Sequence, residues 1–377
     1  MVISNEVKIA IQAADLDCDR IDGTRVYILN VLKYFGKLDQ DSEFLIYHRS
    51  DFNPELAPPE FPNYKIWQRS FSFLWTQTIF ALELWQNNPD VLWMPMVALP
   101  VARRKKLKTV ITIHDLAFKY FPEYFPARDL RKLNFFANYS TNAADKIIVI
   151  SDSTKKDILK FYPKVSADKI KVIHHGFSAE VFSQARDFDQ EQKLKKELGI
   201  AGEYILYSGA LQPRKNIERL IEAYDAYKTR SGSDIKLVLA GEKAWLWENI
   251  EKGAKNSPFY ADIIMPGKLK FEAVGHLFRG ASVFIYPSLY EGFGISILEA
   301  YAAGVPLITA TNSSLMEIGG DGALYFDASD ASELSAQIEK ILTSEELRTE
   351  LIARGKEIVK NFSWEKCARE TLEYIKS

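Results

Sequence analysis

Cysteine is almost missing from the chain: Cys18 and Cys367 lie at opposite ends of 377 residues and form no spaced framework. That excludes a disulfide scaffold and fits a reducing compartment. An excess of one charge is lacking too. Lys and Arg number 48 against 50 Asp and Glu, a formal net charge of −2, without the basic surplus of a dedicated nucleic-acid binder. No stretch reaches the roughly 18 apolar residues of a spanning helix. The richest run, SFLWTQTIFALELW, is broken by Gln77, Thr78 and Glu83. Over Met1–Ala14 no basic segment precedes an apolar one, so a secretory leader is not expected and a cytoplasmic location is. Several motifs are absent: a G-x-x-x-x-G-K-[ST] phosphate loop, a G-x-G-x-x-G after the first strand, and a G-x-S-x-G elbow. His48, His174, His175 and His276 show no metal-binding spacing.

What is present is a folded α/β pattern. Apolar residues make up 47% and charged residues 26%, and the length suits two domains. Short β-rich runs alternate with helical segments: KIAIQAA, EFLIYH, YKIWQ, VLWMP, TVITIHD, KIIVIS and IKVIHHG, then YILYSG, KLVLAG, ASVFIYPS and PLITAT. Several are apolar without alternation, as in parallel strands covered on both faces. The alternation predicts doubly wound Rossmann-like units. A charged stretch over 183–197 places a domain boundary near residue 180, and 363–377 reads as a separate amphipathic helix.

Four stretches carry chemistry. In YPSLYEGFGISILEAYAAGVP, a strand enters the loop Glu291-Gly292-Phe293-Gly294, and a helix follows from about Ser296. A helix start behind glycines offers backbone N–H groups and a positive dipole end to an anion. Glu291 before the helix and Glu299 one turn inside it suit vicinal hydroxyls of a sugar or ribose. In YSGALQPRKN, a strand ends at Gly209, and Arg214-Lys215 precede a helix from about Asn216. Two cations at a helix start oppose its dipole unless a diphosphate supplies negative charge. That turn reads equally as a solvated basic loop. In ITIHDLAF, His114 at a strand end is placed for a sugar hydroxyl or a proton, with a structural role as the alternative, and Asp115 suits a turn cap. In AADLDCDRIDGTRVY, Gly23 precedes a helix from about Thr24, and its amides suit a phosphate. Asp15, Asp17 and Asp19 invite a metal, but no cation-binding spacing follows, so no metal is expected.

The pair Glu291-x7-Glu299 with EGFG between, and GALQPRKN upstream, resembles the donor-site signature of retaining glycosyltransferase family 4. The similarity continues through LVLAGEKAWLWENI, AAGVPLITA and FSWEKCA, over nearly all of residues 200–370 and more weakly before. The wording is closest to bacterial mannosyltransferase-like members of cell-surface polysaccharide assembly. The resemblance implies a GT-B fold, two Rossmann-like domains facing a central cleft. An acceptor domain would span 1–180 and a donor domain 181–360, with a helix over 361–377 returning to the N-terminal domain. It implies that Arg214 and Lys215 hold the donor diphosphate and that Glu291 contacts the transferred sugar. Backbone N–H groups of Phe293, Gly294 and Ile295 would lie near sugar and phosphates, beside Gly209 and Gly292. Glu299 would bind the ribose, His114 would be the N-terminal active-site histidine, and Gly23 would face the diphosphate. Two positions depart from the family: Arg25 stands where a second glycine is common, and Ala210 where an arginine is.

These readings lead to an expected metal-independent, retaining hexosyltransferase without a cofactor. Mannose from GDP-mannose is favoured, UDP-sugars come next, and the acceptor is a glycan or lipid-linked. Closure of the two domains is expected to assemble the site. The alternatives are a non-catalytic nucleotide-sugar-binding protein and a GT-B phosphorylase or epimerase. The basic run Arg103, Arg104, Lys105, Lys106 and Lys108, with Arg128–Tyr139 nearby, suits peripheral contact with an anionic membrane face. A solvated basic surface fits that run as well.

Overall fold

A computed structural model describes residues 7–71 and 73–377. Part of the leader reading over Met1–Ala14 therefore lies outside the described residues. The chain forms two compact units: the described residues up to Gly176 with Ser363–Ser377, and Phe177–Phe362.

In the first unit seven strands form one parallel sheet. They are β1 (Lys8–Gln12), β2 (Glu43–His48), β3 (Tyr64–Gln68), β4 (Val91–Met94), β5 (Lys108–Ile113), β6 (Lys146–Val149) and β7 (Ile170–Val172), in the order β3-β2-β1-β4-β5-β6-β7. β1 pairs in parallel with β2 and with β4. Every residue of β4, and all but the first of β1 and β5, is buried. That explains their unbroken apolar sequences, since helices cover both faces. The order reverses between β1 and β4, the topological switch point of such a sheet.

In the second unit six strands, β8 (Tyr204–Ser208), β9 (Lys236–Ala240), β10 (Ile263–Gly267), β11 (Val283–Tyr286), β12 (Leu307–Ala310) and β13 (Ala323–Phe326), run in the order β10-β9-β8-β11-β12-β13. Here the switch point lies between β8 and β11. Sequence patterning missed β10 (IIMPG) and β13 (ALYF). Both are edge strands, only partly buried, so neither shows the continuous apolar run of an interior strand.

The helix Trp364–Lys376 buries Trp364, Cys367, Ala368, Thr371, Leu372 and Ile375, a three-and-four spacing that makes one apolar face. The Ser363 hydroxyl caps it by accepting the Lys366 N–H at 3.1 Å. Lys376 Nζ donates to Asp39 Oδ2 at 2.5 Å and Lys146 Nζ to the Tyr374 carbonyl at 2.9 Å, fixing this helix within the first unit. Gly176 lets the chain pass that helix start: a Cβ there would lie 2.1 Å from the Trp364 nitrogen. Gly176→Ala is therefore expected to cost about 1–3 kcal/mol through backbone displacement. Thermal denaturation checks this, and an unchanged melting temperature would contradict it.

Candidate functional site

The two informative loops of the second unit leave the C-terminal ends of β8 and β11, on either side of the switch point. That is where open parallel sheets bind ligands. Past β8, residues Pro213–Lys215 form a short 3-10 turn, and the α-helix starts at Ile217. Asn216 separates the two with a left-handed φ of 58°. Arg214 and Lys215 thus precede the helix, as the sequence reading has it, and the helix itself starts one residue past the expected Asn216. Asn216 holds the loops together: its side-chain amide donates to the carbonyls of Pro287 at 3.1 Å and Ala328 at 2.8 Å. The Leu289 N–H donates to the Arg214 carbonyl at 2.9 Å.

This stitching brings the predicted cations onto the predicted acid. Lys215 Nζ donates to Glu291 Oε1 at 2.5 Å and to the Tyr286 hydroxyl at 3.1 Å. Arg214 Nη1 donates to the Tyr290 carbonyl and lies 3.4 Å from Glu291 Oε2. Glu291 is 7% exposed. Burial alone would raise its pKa, but the Lys215 ammonium and the Arg214 guanidinium outweigh that and hold it at about 2. Burial and the Glu291 charge push the Tyr286 phenol well up, so it stays a neutral hydrogen-bonding group. Two cations and one carboxylate thus meet at the end of a buried strand, groups of the types that bind an anion attached to hydroxyls.

The loop after β12 supplies residues that sequence reading missed. The Glu291 N–H donates to Ser313 Oγ at 3.0 Å. The wholly buried Ser314 hydroxyl reaches the carbonyls of Glu291 and Phe293, each at 2.9 Å. Ser313 has a left-handed φ of 48°, uncommon for a side-chain-bearing residue. Consecutive serines therefore clamp the backbone of the acidic loop. The serine pair in TNSSL looks like any turn, and only the fold reveals what it holds. Ser314→Ala leaves two carbonyls without this donor, at an expected cost of about 1–3 kcal/mol. A fall in melting temperature, with the activity loss larger in kcat than in KM, would report a displaced Glu291.

Gly292 and Phe293 are buried, and Phe293 packs edge-on to Phe362 at 6.0 Å. Gly294 precedes the helix Ile295–Ala303 with φ +101°, a conformation that requires glycine. Among the described residues no side chain caps this helix start, and the Ile297 N–H turns back to the Gly294 carbonyl at 3.0 Å. Ile295 opens the helix. Glu299 lies one turn in, and burial, opposed by a hydrogen bond with Ser296, raises its pKa to about 7. The two acids thus have opposite characters, one held ionised and the other poised at neutrality. Gly209 follows β8 with φ +150°.

In the first unit His114 follows β5. Its Nε2 faces the Pro95 carbonyl at 2.9 Å. A carbonyl only accepts, so Nε2 carries the proton and Nδ1 is the basic nitrogen. Nδ1 is buried and has no hydrogen-bond partner among the described residues. Burial lowers the pKa, so the ring is neutral at ordinary pH. Tyr27 packs edge-on to it at 5.1 Å. Asp115 caps its own turn, accepting the Ala117 N–H at 3.0 Å. Gly23 is the first residue of the helix Gly23–Leu38, not the residue before it, and Asp22 caps that helix through the Arg25 N–H. Arg25 is engaged locally: Nη1 lies 2.5 Å from Asp22 Oδ2, and Nε donates to the Asp15 carbonyl at 3.1 Å. Asp17 accepts the N–H groups of Arg49 and Ser50, both at 2.8 Å, which gives it a structural task.

Two parallel sheets, each with its order reversing at a switch point, define the GT-B architecture of glycosyltransferases. Solved structures carry the same fold. HepE of Anabaena, determined with UDP and glucose, superposes with a TM-score of 0.74 over 99% of this chain and 100% of that one, at 17% identity. A sucrose-phosphate synthase from Thermosynechococcus elongatus gives 0.77 over 98% of each at 18% identity. The family models "Glycosyltransferase Family 4" and "Glycosyl transferases group 1" match residues 21–181 and 189–358. The chain is 32% identical over 273 residues to O-antigen chain mannosyltransferase B of Escherichia coli, covering 71% of this chain and 70% of that protein. It is 29% identical over 304 residues to the serotype-specific mannosyltransferase WbdA of the same species, 78% of this chain and 36% of that longer protein. The chain belongs to glycosyltransferase family 4.

Among the described residues no helix is long and apolar enough to cross a membrane. In the basic run, Arg103 is tied to Tyr139 Oη at 2.6 Å and to the Ala143 carbonyl at 3.0 Å. Arg104 is tied to Asn88 and to the Pro89 carbonyl. Lys105, Lys106 and Lys108 are exposed.

Proposed function

We propose that this glycosyltransferase is a retaining, metal-independent mannosyltransferase. In this reading it transfers mannose from GDP-mannose to a glycan or lipid-linked acceptor in cell-surface polysaccharide assembly. The observation that carries the reading is the Arg214–Lys215–Glu291 cluster at the β8/β11 switch point. The mannosyltransferase names of the sequence relatives support the choice of sugar. Arg214 and Lys215 hold the diphosphate, with the backbone of Phe293, Gly294 and Ile295 near sugar and phosphates. Glu291 accepts from sugar hydroxyls, and Glu299 accepts from the ribose. His114, neutral with a basic Nδ1, serves the transferred sugar.

In the reaction the bond from the anomeric carbon to the β-phosphate oxygen breaks through an oxocarbenium-like state. The acceptor oxygen attacks from the same face, and its proton passes to the departing phosphate. Charge growing on the phosphate is neutralised by the two cations and the helix start, an electrostatic route. Incubation with GDP-mannose and candidate acceptors, with the product anomer read by NMR, tests the reading. An α-mannosyl product is expected. An inverted product, or binding without transfer to any acceptor, would overturn it.

Peripheral contact with the inner face of the membrane belongs to the same proposal. With Arg103 and Arg104 engaged internally, Lys105, Lys106 and Lys108 are the groups that present charge for it.

A further inference from the structure

A cluster of exposed apolar side chains in the first unit is unused by the donor chemistry. Phe73 (66% exposed), Leu74, Leu82, Trp85 (54% exposed) and Val101 are large hydrophobic residues left in solvent. Leu82 and Trp85 stand three residues apart on the outer face of the helix Ile79–Asn87, while Phe80, Ala81 and Leu84 of the same helix are buried. The segment before the helix is held. Trp75 is buried, stacks on Phe80 at 5.1 Å, and donates its indole N–H to the Arg69 carbonyl at 2.6 Å. The Thr78 hydroxyl donates to the Phe73 carbonyl at 3.0 Å. Leu74 has a left-handed φ of 45°, a strained value for leucine. Anchored on Trp75, the chain thus presents Phe73 and Leu74 outward from an ordered frame.

The basic loop borders this surface. Gln77 accepts the Val101 N–H at 2.9 Å and donates to the Leu99 carbonyl at 3.2 Å, at the head of the helix. Arg104 reaches Asn88 and Pro89 at its foot. The exposed Lys105, Lys106 and Lys108 follow directly. Apolar side chains bordered by lysines match an anionic bilayer, whose acyl boundary takes the former and whose headgroups take the latter.

We infer that Phe73, Leu74, Leu82 and Trp85 form a wedge that enters the headgroup region of an anionic bilayer, with Lys105, Lys106 and Lys108 on the phosphates. The inference deepens the membrane contact proposed above by adding an apolar element to it, and it does not depend on the donor assignment. The exposed members of that apolar run, too broken to span a membrane, lie on one instead.

Vesicle sedimentation of the full chain tests this. Wild type is expected to pellet with phosphatidylglycerol-containing vesicles and, with phosphatidylcholine alone, roughly tenfold less. The Leu82→Ser/Trp85→Ser double variant is expected to lose about tenfold in vesicle affinity while its melting temperature stays near wild type. In wild type, brominated lipids are expected to quench part of the tryptophan emission, and Trp85→Phe, which keeps the apolar surface, to remove that part without weakening binding. Three results would overturn the inference: no binding to anionic vesicles, full binding by the double variant even where a Lys105→Glu/Lys106→Glu/Lys108→Glu variant fails, or a wild-type dimer that the double variant dissolves.

Discussion

Lys215→Ala and Glu291→Gln are each expected to lower kcat/KM for the sugar nucleotide by roughly 10²–10³, the loss seen when one preorganised group at a developing charge is removed. The two should fail differently. Lys215→Ala removes a cation from the phosphates, so donor binding falls along with turnover. Glu291→Gln keeps the shape but loses the charge that orients a hydroxyl, so the loss falls mainly on kcat. Both break a nearly buried ion pair, in which Glu291 is 9% and Lys215 12% exposed at the side chain. Either is therefore expected to cost up to about 3 kcal/mol of stability in the unliganded protein. Because the folded pKa of Glu291 is depressed to about 2, its contribution to stability is present above the ordinary glutamate range and fades as pH falls from about 4.5 toward 2. Acid unfolding of the two variants should flatten in that window. Steady-state kinetics beside the wild type checks the activity claim, and variants within threefold of wild type would refute it.

The second large effect concerns Glu299. Desolvation raises its pKa to about 7, so the unliganded fold holds the acid protonated only below that pH. The native state then binds more protons than the unfolded chain between about pH 4.5 and 7, and stability falls as pH rises through that window. Glu299→Gln, which cannot ionise, is expected to be the more stable protein above neutrality, by roughly 2–4 °C for each kcal/mol recovered. Donor affinity should run the other way. Accepting from ribose hydroxyls is the work of the carboxylate, so affinity should rise about tenfold per pH unit below 7 and level off above it. In Glu299→Gln the profile should be flat and low. A pH series of donor titrations decides this, and parallel profiles for the two proteins would remove Glu299 from the ribose.

The sequence revealed these groups because each sits where a buried strand meets a glycine-containing turn, and such junctions are visible in one dimension. The interior strands were legible for the same reason: β1, β4, β8 and β11 are buried on both faces and read as apolar runs. The edge strands β10 and β13 are half wet and their patterns dissolve into the surroundings. Contacts between loops distant in sequence were not legible. Nothing in TNSSL points 22 residues back to Glu291, although Ser313 holds its N–H. Charge assignments also depended on the fold. Arg103 and Arg104 read as surface charge, yet their guanidinium groups bind carbonyls and Tyr139. Arg25, in place of a family glycine, is tied to Asp22 and Asp15. Even the two glutamates, alike in sequence, separate only when burial and the neighbouring cations are known.

A thermal-shift titration with GDP-mannose, run on wild type, Lys215→Ala and Glu291→Gln, goes most directly to the claim that this cluster is the donor site. Ligand that binds only the folded state raises the melting temperature with concentration. A saturable rise in wild type, nearly abolished by Lys215→Ala and weakened by Glu291→Gln, is expected. Equal shifts in all three proteins would place the sugar nucleotide elsewhere and contradict the account.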